Sequence, residues 1–142
     1  LLRQISDSIP RVSSVFISLS GGVRISLDGF TDDRLAAMSF ALHDASERVI
    51  RTLRNSALNT VLCETNSVRH FTYAVPNGVF SLWVDRSSQK LGLIRLLLKH
   101  FIDEMRRILA SASVTRPRIP ADLKELLLSG ISGDSFIVAR RR

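Results

Sequence analysis

The stretch that decides the fold is an apolar hairpin reading Phe71-Thr72-Tyr73-Ala74-Val75-Pro76-Asn77-Gly78-Val79-Phe80-Ser81-Leu82-Trp83-Val84. Large apolar side chains alternate along residues 69–75, so they share one face of a strand. The pair Asn77-Gly78 suits a two-residue type I′ loop. Residues 79–84 are apolar almost throughout, which is typical of a strand covered on both faces. This hairpin therefore predicts the centre of a β-sheet.

The chain before this hairpin predicts two helices and three strands. Pro10 ends the first helix because proline cannot continue it, and Ser20-Gly21-Gly22 supplies the positive φ of a tight hairpin turn. Thr31 is a good N-cap, with Asp32 and Asp33 in the first turn where the helix dipole favours negative charge. The predicted elements are a helix over residues 1–9, strands over residues 12–19, 23–27 and 58–64, and a helix over residues 31–54.

The second predicted helix has two apolar faces. Residues at three- and four-residue spacing predict the face that meets the core; they are Leu35, Met38, Leu42, Ala45, Val49 and Leu53. On the other side, Phe40 points outward among Ala36, Ala37 and Ala41. A large apolar side chain beside small residues is typical of a helix-to-helix contact between proteins. The alternative is that another element of the same chain covers Phe40.

The chain after the central hairpin predicts a long helix and then a tail. The helix covers residues 89–112 and completes the order αββαβββα. Its core stripe is Leu91, Ile94, Leu97, Leu98, Phe101, Met105, Ile108 and Leu109. The charged residues on the far side are Arg95, Lys99, Asp103 and Arg106. We assign residues 1–113 to one domain and residues 114–142 to a basic extension. The extension predicts an extended linker over residues 116–120, a short amphipathic helix through Leu123, Leu126 and Leu127, and a last strand at residues 136–138. Its leucines require an apolar surface on the domain or on a partner, and Leu96 is one candidate receptor.

Composition narrows the class of protein. The chain has 142 residues, of which 45% are hydrophobic and 23% charged, so it is long enough for one globular domain and is neither disordered nor a disulfide scaffold. The lone Cys63 is expected to be a buried, reduced thiol, which predicts a cytoplasmic protein. No apolar run is long enough for a membrane span.

The net charge of +7 raises nucleic-acid binding as a hypothesis, and the last 29 residues carry six of the 20 Lys and Arg residues. The sequence disfavours it, because no strand interleaves aromatic and basic residues and no zinc-finger spacing is present.

The sequence predicts no catalytic, metal or cofactor site. Ser20-Gly21-Gly22 has neither the spacing nor the following helix of a phosphate loop. His43 and Glu47 are four apart on a helix, yet a third metal ligand is not evident, which favours a solvated helix pair. His70 and His100 lack a carboxylate or nucleophile at a suitable spacing.

Three strings resemble the roadblock family of dynein light chains and GTPase regulators, over roughly residues 1–112. They are Val15-Phe16-Ile17-Ser18-Leu19-Ser20-Gly21-Gly22, Asp33-Arg34-Leu35-Ala36-Ala37-Met38-Ser39 and Leu91-Gly92-Leu93-Ile94-Arg95. The resemblance implies a three-layer α/β/α fold, related to longin and profilin-like folds, with a five-stranded antiparallel sheet in the α+β class. The chain departs from the family in having Gly21 where an Asp often precedes the hairpin glycine, and in carrying its basic tail.

Members of this family dimerise by pairing their third strands and packing their second helices together. Carried over residue by residue, the resemblance implies a homodimer contact at Ala36, Ala37, Phe40, Ala41, Asp44, Leu58, Thr60, Leu62 and Glu64. The charged rim expected to meet a GTPase is Arg34, Glu47, Arg48 and Arg51.

The resemblance implies a non-enzymatic homodimeric platform that binds a small Ras-like GTPase and tunes its nucleotide cycle, without a cofactor. Two alternatives stay open at this point. One is a structural scaffold or adaptor subunit of a larger assembly, and the other is nucleic-acid binding through the basic tail.

Overall fold

The computed structural model describes residues 1–27, 33–115 and 127–128, and its elements follow the predicted order αββαβββα. They are helix α1 (Leu2–Ser8), strands β1 (Val12–Leu19) and β2 (Val23–Ser26), helix α2 (Asp33–Arg54), strands β3 (Thr60–Glu64), β4 (Val68–Val75) and β5 (Gly78–Asp85), and helix α3 (Leu91–Thr115). Thr31, the predicted cap of α2, lies outside the described residues. So do the linker, the strand and most of the helix predicted for the tail.

The five strands form one antiparallel sheet in the order β2-β1-β5-β4-β3. The prediction that β5 is central is confirmed, and β2 and β3 lie at the two edges. Gly21 and Gly22 join β1 to β2 with φ angles of 90° and 83°, as the tight turn requires.

The turn between β4 and β5 differs from the predicted type I′ loop. Val75 pairs with Gly78, so Pro76 and Asn77 are the two central residues, and Asn77 takes a φ of 60°. Proline followed by a residue with positive φ is typical of a type II turn. Gly78 is needed for a different reason, because a Cβ there would lie 2.4 Å from the carbonyl oxygen of Ser18 on β1.

The first face of the sheet carries the apolar core and is covered by α1 and α3. The helix residues that enter it are no more than 7% exposed; they are Leu2, Ile5, Ile94, Leu98, Ile102, Met105, Ile108, Leu109 and Ala112. The predicted stripe of α3 is therefore confirmed, with Leu91, Leu97 and Phe101 packed partly buried at its margin. Leu127 of the tail is also fully buried in this core, whereas Leu96 is 68% exposed. The described part of the tail thus finds its apolar surface on the chain's own core.

The second face of the sheet is covered by α2, which contacts β1, β3, β4 and β5. Helices on both faces give the three layers that the resemblance implies. No helix among the described ranges is long and apolar enough to cross a membrane.

Candidate protein-interaction surface

Helix α2 makes several polar contacts with the sheet. Its buried residues are Ala36, Ser39 and His43. Ser39 Oγ lies 3.4 Å from His70 Nε2, and His43 Nδ1 lies 2.9 Å from Thr72 Oγ1, both across to β4. Ser18 of β1 donates a hydrogen bond of 3.1 Å to the carbonyl oxygen of Ala36. We call these contacts the polar seam.

The two histidines of the polar seam are neutral near pH 7. Burial lowers the pKa of His70 to about 4, and its ring stacks on Trp83 with 3.9 Å between centroids. Burial also lowers the pKa of His43, against the smaller opposing effect of the Glu47 and Asp44 carboxylates. A charged imidazole at either place would lose its hydration, and at His43 the nearby carboxylates offset this cost only in part. The seam is therefore built for uncharged hydrogen-bonding groups.

The apolar stripe of α2 faces outward, so the expectation that it meets the core is wrong. Its members keep much of their surface in solvent: Met38 is 68% exposed, Leu42 37%, Val49 54% and Leu53 71%. Only Leu35 of the predicted set is half-buried, and Ala45 is exposed. The reason lies in the second face of the sheet, where His70 and Thr72 offer partners to the polar side chains of Ser39 and His43. Exposed apolar patches of this kind are typical of interaction sites.

This stripe lies on the flank of α2 that points toward β3. On the buried side of the helix, Ala36 meets β1, while Ser39 is turned toward β4. Successive residues are 100° apart around the helix axis. Going around the axis from Ala36 to Ser39 and further in the same direction leads to the stripe, which therefore lies on the side away from β1. We call Met38, Leu42, Ala45, Val49 and Leu53 the α2 stripe.

Strand β3 adds an unpaired edge beside that flank. Among the described residues β3 pairs with β4 alone, from Thr60 opposite Tyr73 to Glu64 opposite Arg69. Thr60, Leu62 and Glu64 therefore point to the face of α3, since cross-strand partners share a face. A strand edge with free backbone groups is a template for pairing with another chain.

The predicted contact residues do not form one outward patch. Ala36 is 6% exposed and buried against the sheet, so its predicted outward position is wrong. Ala37 and Ala41 are exposed, and Phe40 is half-buried. Phe40 and Ala37 line a cleft of about 260 Å³ between α2 and the β1–β2 hairpin, on the flank opposite the α2 stripe. A neighbouring element of the same chain thus partly covers Phe40, which was the alternative interpretation.

The predicted charged rim consists largely of ion pairs within α2. Arg48 Nη2 lies 2.9 Å from Asp44, and Arg51 Nη2 lies 2.8 Å from Glu47. Both pairs are four residues apart, and exposed pairs of this kind stabilise a helix by roughly 0.3–0.5 kcal/mol. The rim side chains are therefore held loosely enough to exchange partners. Arg34 is exposed near the start of the same helix.

Two other candidate residues lie in unexpected places. His43 is 2% exposed and faces Thr72, so it does not form the predicted solvated pair with Glu47. Cys63 was expected to be buried and is exposed, because its apolar neighbours belong to an edge strand. Within the described parts of the chain, no group of three His, Cys, Asp or Glu residues could hold a metal ion.

Solved structures share this fold. A Roadblock/LC7 domain from Streptomyces avermitilis superposes with a TM-score of 0.65 at 13% sequence identity, covering 80% of this chain and 95% of that one. MglB of Myxococcus xanthus superposes with a TM-score of 0.62 at 21% identity, covering 70% of this chain and 85% of that one. No family model and no curated protein sequence matches the chain. The roadblock fold implied by the sequence is confirmed.

Proposed function

We propose that this chain is a homodimeric, non-enzymatic platform that binds and regulates a small Ras-like GTPase. The observation that carries the proposal is the α2 stripe, an exposed apolar helix flank beside an edge of β3 with which no described strand pairs. The sequence resemblance to the roadblock family, whose fold the chain shares with MglB, supports this class of partner.

The proposed dimer pairs β3 of one copy with β3 of the other and packs the two α2 stripes together. This arrangement satisfies the free backbone groups of the edge and covers the four large apolar side chains in one isologous contact. Leu58, Thr60, Leu62 and Glu64 then lie at the strand contact. The contribution of Phe40 is tested separately, because it lies on the other flank of α2.

The GTPase would meet the charged residues of α2 that the dimer leaves in solvent. Arg34, Glu47, Arg48 and Arg51 are expected to orient the partner and to raise its association rate. We expect regulation by positioning of the GTPase's own residues. An inserted arginine would instead be worth about 10³-fold or more in the rate of hydrolysis.

The test uses a purified small Ras-like GTPase from the same organism, loaded either with GDP or with a non-hydrolysable GTP analogue. The expected result is saturable binding that differs between the two nucleotide states. Equal binding in both states would instead indicate a scaffold, and no binding to any such GTPase would overturn the proposal.

Substitution of Arg48 or Arg51 by Ala separates positioning from an arginine inserted into the GTPase site. We expect weaker association and unchanged maximal stimulation of hydrolysis. Loss of stimulation with binding intact would contradict the positioning mechanism.

A further inference from the structure

A cleft with a strong positive charge lies on the other face of the sheet, where α3 passes the edge formed by β3 and β4. Its volume is about 330 Å³, and it is lined by Asn59, Thr60, Tyr73, Arg95, Lys99, Ile102, Asp103 and Arg106. Three cations and one carboxylate thus surround it. We call it the cationic cleft; it is complete within one chain and does not depend on the proposed function.

Arg106 is held in place by the strands. Its Nε donates to the carbonyl oxygen of Ala74 at 3.0 Å, and its Nη2 donates to Asn59 Oδ1 at 3.0 Å. Its Nη1 lies 3.9 Å from Asp103, whose side chain is 65% exposed. The guanidinium group therefore has a fixed orientation before any ligand arrives, which reduces the entropy lost on binding.

Arg95 and Lys99 lie one helical turn apart on the flank of α3 that faces the cleft. Among the described residues, neither has a carboxylate within 4.0 Å. Their predicted position was the far, solvent side of α3, and the structure instead turns them toward the sheet edge. Like charges four residues apart repel each other, so an anion between them would relieve an existing cost.

Hydroxyl groups complete the floor of the cleft. The Oγ1 atom of Thr60 is buried and has no hydrogen-bond partner with good geometry among the described residues. The side chain of Tyr73 is beside it; burial raises the pKa of this phenol, while Thr60, Arg95 and Arg106 act in the opposite direction. Both hydroxyls are therefore donors that carry their protons at neutral pH.

We propose that the cationic cleft binds the phosphate group of a small ligand or a free phosphate-type anion. Guanidinium and ammonium groups with neutral hydroxyl donors match the several acceptor oxygens and the double charge of a phosphate. The volume falls in the range of small-molecule sites, so it accommodates a phosphate with an attached organic group over the side chain of Ile102.

The experiment is isothermal titration of the full chain with inorganic phosphate, pyrophosphate, adenosine monophosphate and adenosine at constant ionic strength. We expect saturable binding of the phosphate-bearing probes and none of adenosine. Tighter binding of adenosine monophosphate than of phosphate would identify a phosphorylated small ligand, and equal binding would identify the free anion. No saturable binding of any phosphate-bearing probe would overturn the proposal.

Arg95→Gln and Lys99→Gln are the informative variants, because both side chains are exposed and neither supports the fold by a described contact. Each should weaken binding by about tenfold or more, the cost of losing one charge-assisted hydrogen bond. Arg107→Gln is the matched control on the same helix, where the arginine pairs with Glu104 outside the cleft. Equal weakening in this control would show unspecific attraction and contradict the proposal. Preferential binding of a pentaglutamate peptide, with the same dependence on Arg95 and Lys99, would overturn it in favour of an acidic protein partner.

Discussion

The two faces of the sheet hold their helices in different ways. The face under α1 and α3 is a continuous apolar core, with side chains such as Phe80 and Leu82 fully buried. The face under α2 carries the buried Phe16 and Val79, and beside them serine, threonine and histidine side chains that make hydrogen bonds to the helix. Helices α1 and α3 bury their apolar side chains in this core, whereas four large apolar side chains of α2 stay exposed.

This difference assigns separate roles to the two layers. Burial of apolar surface supplies most of the folding free energy, and net contributions of hydrogen bonds are near 1 kcal/mol each. The layer of α1 and α3 is therefore expected to dominate stability. The α2 layer is expected to dominate recognition, because its apolar flank gains most when a second chain covers it.

The largest effect is expected from two neighbouring substitutions on β5, which test the comparison between the two faces of the sheet. Leu82→Ala removes a fully buried side chain from the apolar face and should lower the free energy of unfolding by about 2–5 kcal/mol. Ser81→Ala, one residue away on the α2 face, should change it by less than about 1 kcal/mol, since the buried Ser81 Oγ has no hydrogen-bond partner among the described residues. Urea denaturation measures both, and a similar loss in the two variants would contradict the division of roles.

Acidification tests the polar seam. The pKa of His70 is about 4 in the folded chain against 6.5 for the unperturbed group, so between these values the unfolded chain binds a proton that the folded chain does not. The stabilisation is present above pH 6.5 and is lost as the pH falls toward 4, by about 3 kcal/mol for this group. The lowered pKa of His43 acts in the same direction.

The measurement is the free energy of unfolding from pH 7.5 to pH 4.5 for the unsubstituted chain and for His70→Gln. The variant should lose less stability over this range, because it has no imidazole to protonate. His100→Gln, on the exposed side of α3, is the control. Parallel profiles for the unsubstituted chain and His70→Gln would show that His70 does not govern the acid response.

A single hydrogen bond of the seam provides the smallest expected effect. Thr72→Val leaves His43 Nδ1 without its partner at 2.9 Å and should cost about 1–3 kcal/mol. His43→Leu combined with Thr72→Val should cost less than the sum of the two single changes, since both polar groups are then gone. A double-mutant cycle in urea gives the coupling, expected near 1 kcal/mol; strict additivity would mean that the contact contributes nothing.

The sequence predicts the sheet and one helical layer well, for a physical reason. Alternation along the strands and the apolar stripe of α3 both depend on burial in the chain's own core, and the structure has them where the pattern indicates. The orientation of α2 was missed because an apolar stripe shows that a face needs covering without showing what covers it. The polar residues that indicate this orientation are Ser18, His70, Thr72 and Ser81. They lie on three different strands, so only the pairing of the strands shows that they share the face under α2.

The remaining differences also come from tertiary placement. Cys63 lies in an apolar run, yet that run forms an edge strand, and edge position is set by strand order. On a helical wheel Arg95 and Lys99 lie on the flank of α3 beside Ile102, and the position of α3 over the sheet edge determines that this flank meets a cleft. Local patterns cannot reveal which side of a helix meets a strand distant in sequence.

The most direct test of the central claim is the solution mass of the chain and two variants by light scattering, over a range of concentrations. We predict a mass of twice 15.8 kDa for the unsubstituted chain and dissociation in Met38→Glu combined with Val49→Glu. Leu96→Glu is the control, because Leu96 on α3 is 68% exposed, the same fraction as Met38. Phe40→Glu shows in the same experiment whether the flank facing the hairpin takes part. A monomeric unsubstituted chain, or a dimer that persists in the Met38 and Val49 variant, would contradict the claim that the α2 stripe is the surface reserved for a second copy.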